Sequence, residues 1–181
     1  MIRFLLLCAS LFAAATSSAK TGQSAFVGHY GTVITYPSEF AAKPEMGDPE
    51  GALENVNIAP LSCAGPTPEC MAAMLQVLIM PRAIIAKYEK IVDFDSYVGA
   101  AIKESERNGE APGVVRFKTG AIPGYKITLG APKSSPFDTI YYLGGKKYFY
   151  RVSCLHGNAI AEGVAASLEA AAPKKGGKKR R

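Results

Sequence analysis

The sequence predicts an α+β fold: a single domain in which an antiparallel β-sheet meander is packed by helices. Three observations predict it. Short runs of β-branched and aromatic residues recur between turns that carry Pro and Gly. From Asp93 the apolar spacing changes to that of a helix. The segments then follow the order strands, helix, strand meander, helix, which segregates the two kinds of element, and no internal repeat or second-domain linker interrupts them.

Residues 25–36 (AFVGHYGTVITY) are rich in β-branched and aromatic side chains, contain Gly28 and Gly31, and end at Pro37. They predict an opening strand, bulged or folded into a pair. Residues 37–50 are rich in Pro and acid and predict a loop with at most one short helical turn. Residues 53–58 alternate weakly and fit a strand. Residues 75–80 (LQVLIM), stopped by Pro81, fit a buried strand, with a helix over 70–80 as the alternative.

Phe94, Tyr97, Val98, Ala101 and Ile102 share one helical face, with Lys103, Glu104, Glu106 and Arg107 on the wetter side. Asp93 or Asp95 can cap the start by accepting backbone N–H bonds that the first turn leaves free, and Asn108-Gly109 can close the end. Residues 114–119, 125–129, 138–143 and 147–155 then predict a meander, with Gly144-Gly145 as a tight hairpin. Residues 158–172 return to helical spacing through Ile160, Val164 and Leu168, behind Asn158 as cap.

The chain has 181 residues, of which 48% are hydrophobic and 20% charged, so one soluble globular domain is expected. Residues 1–19 carry the marks of a secretory signal peptide. Arg3 supplies a positive start, residues 4–15 (FLLLCASLFAAA) an apolar run, and Thr16-Ser17-Ser18-Ala19 small residues for cleavage. Leu7 stands where a lipidated Cys8 would need a small residue, which argues against a lipid anchor. No later segment supplies the roughly 20 apolar residues of a transmembrane helix. The expectation is an exported, periplasmic or extracellular protein whose domain spans residues 20–173.

Export implies an oxidising compartment, and Cys63, Cys70 and Cys154 lie beyond the leader. The intervening AGPTPE makes a turn-rich loop that can bring Cys63 and Cys70 together, so a disulfide is expected there. Cys154 falls in an apolar strand and is expected to be a buried thiol.

The net charge of +6 is unevenly spread. Of 21 basic residues, Arg3 leaves with the leader and six lie in the last eight positions: Lys174, Lys175, Lys178, Lys179, Arg180 and Arg181. The remaining 14 face all 15 acids, so the body is close to neutral. Residues 174–181 follow the helix-stopping Pro173 and predict a disordered basic tail. Such a run is attracted without specificity to anionic lipid, lipopolysaccharide or another polyanion, each charge contributing about 1 kcal/mol near an anionic membrane. The bland alternative is a solubilising or trimmed end. Specific nucleic-acid recognition is not indicated, and an export signal conflicts with a nuclear role.

The strand GTVITYP from Gly31, the helix start Phe94-Asp95-Ser96-Tyr97-Val98, the strand Gly124-Tyr125-Lys126-Ile127 and the hairpin over 141–152 before a last helix together resemble the PsbP/DcrB-like α/β sandwich superfamily, over about residues 25–170. The resemblance implies that fold and a non-enzymatic accessory role. It carries over no catalytic residue. The Cys63–Cys70 loop and the basic tail lie outside the family pattern.

Neither a phosphate-cradling glycine motif nor a nucleophile-elbow serine is present, so no cofactor is expected. Gly144-Gly145-Lys146-Lys147 is followed by a strand rather than by the helix a phosphate loop needs. Cys154 and His156 alternate on one strand and could pair as metal ligands or as nucleophile and base, but two ligands make no site without His29 or a carboxylate. Alternation puts Tyr148 and Tyr150 on one face and Phe149, Arg151 and Ser153 on the other. These tyrosines, with Arg151 as a polar anchor, suit either a partner or glycan surface or packing beneath the helices. The resulting expectation is a non-enzymatic binding protein whose partner is an unidentified protein or envelope component. The alternatives are a polyanion binder acting through its tail, or an enzyme with an unrecognised site.

Overall fold

The computed structural model describes residues 22–45, 53–65, 67–119, 122–130, 132 and 136–168. The expected leader and basic tail, and the expected last helical turn over 169–172, lie outside the described residues.

The chain runs β1 (Gln23–Val27), β2 (Val33–Pro37), β3 (Phe40–Glu45), β4 (Glu54–Pro60), α1 (Pro68–Ala73), β5 (Leu75–Pro81), α2 (Arg82–Tyr88), α3 (Phe94–Arg107), β6 (Pro112–Thr119), β7 (Ile122–Leu129), β8 (Thr139–Gly144), β9 (Tyr148–Cys154) and α4 (Ala159–Ser167). Strands β3 to β9 form one antiparallel sheet in the order β3-β4-β5-β9-β8-β7-β6, and β1 and β2 make a separate two-stranded hairpin. The fold is the α+β class that the sequence predicts. After β5 the chain leaves the sheet centre through α2 and α3, enters again at the β6 edge, and returns by hairpins until β9 lies against β5.

Strand alternation divides the side chains between two faces. On one, Val56, Ile58, Leu75, Val77, Ile79, Tyr141, Leu143, Tyr150, Val152 and Cys154 are buried beneath the β1–β2 hairpin and α4, which adds Ala161, Val164, Ala165 and Leu168. Burying each large aliphatic side chain fully contributes about 1.5–3 kcal/mol, so this face is the main core. On the other face α3 lays Val98, Phe94, Tyr97 and Ala101 over Ile127, Leu129 and Tyr142. Beside it, α2 brings Ile85 to Met80 and Phe149.

The element starts follow their caps. The Asp93 carboxylate accepts the Ser96 N–H at 2.8 Å, and the Ser96 side chain together with this backbone bond holds its pKa below the usual carboxylate range. Gly109, in left-handed backbone at φ 73°, ends α3. Asn158 Oδ1 accepts the Ala161 N–H at 2.8 Å and opens α4. The opening segment is a folded pair rather than one bulged strand.

One expectation needs correction. Residues 37–50 are not all loop, because Phe40–Glu45 forms β3, which pairs with β4 and contains Pro44. An edge strand bonds on one side only, so a residue without an N–H is tolerated there. Residues 75–80 form the expected strand, within β5, and the alternative helix over 70–80 is confined to its first few residues. A short α1, capped by Thr67, gives way at Met74 to β5. Cys63 and Cys70 form the expected disulfide, which ties α1 to the end of β4. No helix among the described residues is long and apolar enough to cross a membrane.

Candidate functional site

Helix α3 covers the sheet face over β7 and β8, α2 covers the Met80 and Phe149 end of β5 and β9, and the other end of β5 and β9, with β4, borders a cleft. The cleft, of about 530 Å³, runs between α3 residues Ala101, Glu104 and Ser105 and the sheet. Registration builds its floor. Asn57 pairs with Gln76, and Gln76 with Ser153, so three polar side chains from three strands form one row. Arg151 stands in the next row, opposite Tyr142. Leu129, Phe137 and Ile140 form an apolar wall at the same cleft.

The polar groups are held in place by one another. Glu45, at the end of β3, accepts the Nδ2 groups of Asn55 and Asn57 at 2.7 and 2.6 Å. Arg151 donates through Nη2 to Gln76 Oε1 at 3.4 Å. Arg151 is partly buried, yet none of the ion pairs among the described residues includes it. Its Nε and the Oδ1 atoms of Asn55 and Asn57 are buried with no hydrogen-bond partner among those residues. Burial pushes the Tyr142 hydroxyl up, while the neighbouring Arg151 guanidinium pulls it back. A partly buried guanidinium with no carboxylate in ion-pair contact is costly, which marks this place as chemically unusual.

Two other hollows differ. One, of about 600 Å³, is lined by Asp95, Arg116 and Tyr125. There Arg116 donates to Asp95 at 2.9 Å and to the Tyr125 hydroxyl at 2.6 Å, and Tyr125 donates to Asp95 at 2.8 Å, so the exposed charges satisfy each other. The other, about 510 Å³, lies between β2 and α4 around Tyr36, Ile160 and Ser167.

The sequence-level candidates fall in different places. Tyr150 is buried in the main core and Tyr148 packs against that core from its margin, whereas Arg151 points to the α3 face. The three therefore do not form one surface. Cys154 is fully buried, and burial raises its pKa. His156 has left the strand, with φ 56°, and its Nδ1 lies 2.9 Å from Asp138 Oδ2. His29 is exposed at the tip of the β1–β2 hairpin. No cluster of three metal-ligating side chains occurs among the described residues. Lys174, Lys175, Lys178, Lys179, Arg180 and Arg181 lie outside those residues.

Asn57, Gln76 and Ser153 were not singled out from the sequence. The available signal was the β9 alternation that separates Arg151 and Ser153 from the core tyrosines. The arrangement can bind and orient a polar group through one cation, amides and a hydroxyl. No family model, curated protein or solved structure matches this chain.

Proposed function

We propose that the chain is an exported, non-catalytic binding protein whose folded body receives its partner in the cleft between α3 and strands β4, β5 and β9. The basic run over 174–181 adds electrostatic attachment to an anionic envelope surface. The observation that carries this reading is Arg151, partly buried in the cleft and in ion-pair contact with no carboxylate of the described residues. Amides and a guanidinium at the floor of an open cleft are groups that recognise and orient a ligand. The resemblance of the sequence to the PsbP/DcrB-like superfamily supports an accessory role.

The test compares retention of envelope material by the chain from Lys20 to Arg181, by a variant ending at Pro173, and by Ser105→Trp, which fills the cleft from α3. Retention is expected to split into a part that salt releases, lost with the tail, and a salt-resistant part, lost with Ser105→Trp. If Ser105→Trp folds and retains the same material as the unaltered chain, the cleft is not the receiving surface.

A further inference from the structure

We infer that the cleft takes a ligand bearing a single carboxylate on an apolar body, with Arg151 as the anchoring cation. This rests on the reading of the cleft as the receiving surface and does not depend on the basic tail.

Charge, shape and surroundings each narrow the ligand. The guanidinium is a planar fork that matches a carboxylate with two parallel hydrogen bonds. Of the five N–H bonds it carries, one at Nη2 reaches a neutral amide at 3.4 Å, a long contact, the Tyr142 hydroxyl is a second neutral partner, and Nε is buried with no partner among the described residues. Among the described residues, the other charged side chains lining the cleft are Glu45 and Glu104. Both are anionic, and both are already engaged, Glu45 by two asparagine amides and Glu104 by Arg107 at 2.6 Å. With Glu104 neutralised by Arg107, Arg151 is balanced by Glu45 alone among the described residues, and a site so close to neutral opposes a dianion such as a phosphate ester more than a monoanion. Leu129, Phe137 and Ile140 beside the cation suit an apolar chain or ring. The shared chemistry is a carboxylate, supplied by a free organic acid or by the C-terminus of a polypeptide ending in an apolar residue.

The experiment follows the side-chain Nε–H signal of Arg151 by NMR in the chain from Lys20 to Arg181. Sodium octanoate, octanamide, inorganic phosphate, and a hexapeptide ending in leucine with either a free carboxylate or an amide are titrated in turn. Octanoate and the free-acid peptide are expected to shift the signal saturably, with affinity at least about tenfold above their amides, which is roughly 1.4 kcal/mol. Phosphate is expected to bind more weakly than either acid. Tighter binding of the peptide acid than of octanoate identifies a polypeptide terminus as the source, and the reverse identifies a free acid. Arg151→Gln is expected to remove the preference for acid over amide. The acid and amide comparison on the unaltered chain decides the matter alone should that variant not fold. Equal binding of acids and amides, preference for phosphate, or no saturation by either acid overturns the inference. If the acids fail while Ser105→Trp still abolishes salt-resistant retention, the ligand class falls and the cleft reading stands.

Discussion

The Glu54 carboxylate lies against the backbone of Gly28, so closely that a Cβ on Gly28 would come within 2.6 Å of either carboxylate oxygen. Glu54 Oε1 accepts the His29 N–H at 2.9 Å. The carboxylate of β4 thus holds the tip of the β1–β2 hairpin onto the main core.

Gly28→Ala is expected to push the carboxylate out of this seat and to destabilise the chain by about 1.5–3 kcal/mol, the scale of a lost hydrogen bond to a charged acceptor. Combined with Glu54→Ala, the same substitution should cost little, because the group it displaces is gone. A double-mutant cycle by urea denaturation measures the coupling. Additive losses would show that the two residues act independently.

Tyr97, Tyr141, Tyr142, Tyr150 and Cys154 all have pKa values raised by burial. Each folded group keeps its proton at pH values where the unfolded group, with an ordinary value of 10.0 for a phenol or 9.0 for a thiol, has begun to lose it. The unfolded chain then binds fewer protons than the folded one, and stability falls as pH rises. Stability is therefore expected to hold below the ordinary thiol value and to decline steadily above it. Denaturation midpoints across an alkaline series check this. Tyr97→Phe should flatten the decline, at the cost of the bond from the Tyr97 hydroxyl to Met80 Sδ.

The elements that carry a strong period were legible in the sequence. The α3 stripe from Phe94 to Ile102 packs on the sheet as its spacing marks, and the apolar runs of β5, β8 and β9 are buried, whereas β6 at the sheet edge leaves Val114 and Val115 exposed. Strand β3 was not legible, because Pro44 and the surrounding acids signal a loop, and only the free edge of the sheet makes that proline harmless. The cleft was less legible still. Asn57, Gln76 and Ser153 lie far apart in sequence and meet only through the registers of β4, β5 and β9. The order β5-β9 joins the two halves of the sheet, and no local pattern encodes that pairing. For Tyr148, Tyr150 and Arg151, alternation already separated Arg151 from the tyrosines, but which face would hold the main core depended on where α4 and the hairpin dock.

The Cys63–Cys70 bond closes a short loop at the end of β4 and fixes the start of α1. Loop closure this short contributes at the lower end of the disulfide range, about 2 kcal/mol. Replacing both cysteines by serine should cost about that much and leave the far-UV circular dichroism nearly unchanged. Loss of the sheet signal would give the bond a larger role than loop closure.

The Cys154 thiol is enclosed by the main core, and burial keeps it protonated. Iodoacetamide should label it in the folded chain only through opening, so the rate should rise steeply once urea begins to unfold the protein. Labelling at the rate of a free thiol without denaturant would place Cys154 at an accessible surface.

The β1–β2 hairpin has only two strands, and an isolated pair of this size is marginal in water. Its hold on the rest of the fold includes Ser167 near the end of α4. The Thr35 N–H donates to Ser167 Oγ at 3.0 Å, while the Ser167 hydroxyl can donate to Val164 O at 2.8 Å within the helix. One hydroxyl thereby joins strand and helix. Ser167→Ala leaves the partly buried Thr35 N–H without its acceptor, a loss of about 1–2 kcal/mol, against a gain of a few tenths of a kcal/mol from the better helix former. A net loss near 1 kcal/mol is expected. Amide exchange should locate it: the Thr35 proton should exchange faster in the variant, while the amides of β5 and β9, at the sheet centre, should keep their protection once the change in global stability is allowed for. Equal acceleration in both places would mean that the hairpin opens only with the whole sheet. Selective acceleration would make it a separate unit that can lift from the core while the cleft on the opposite face stays intact.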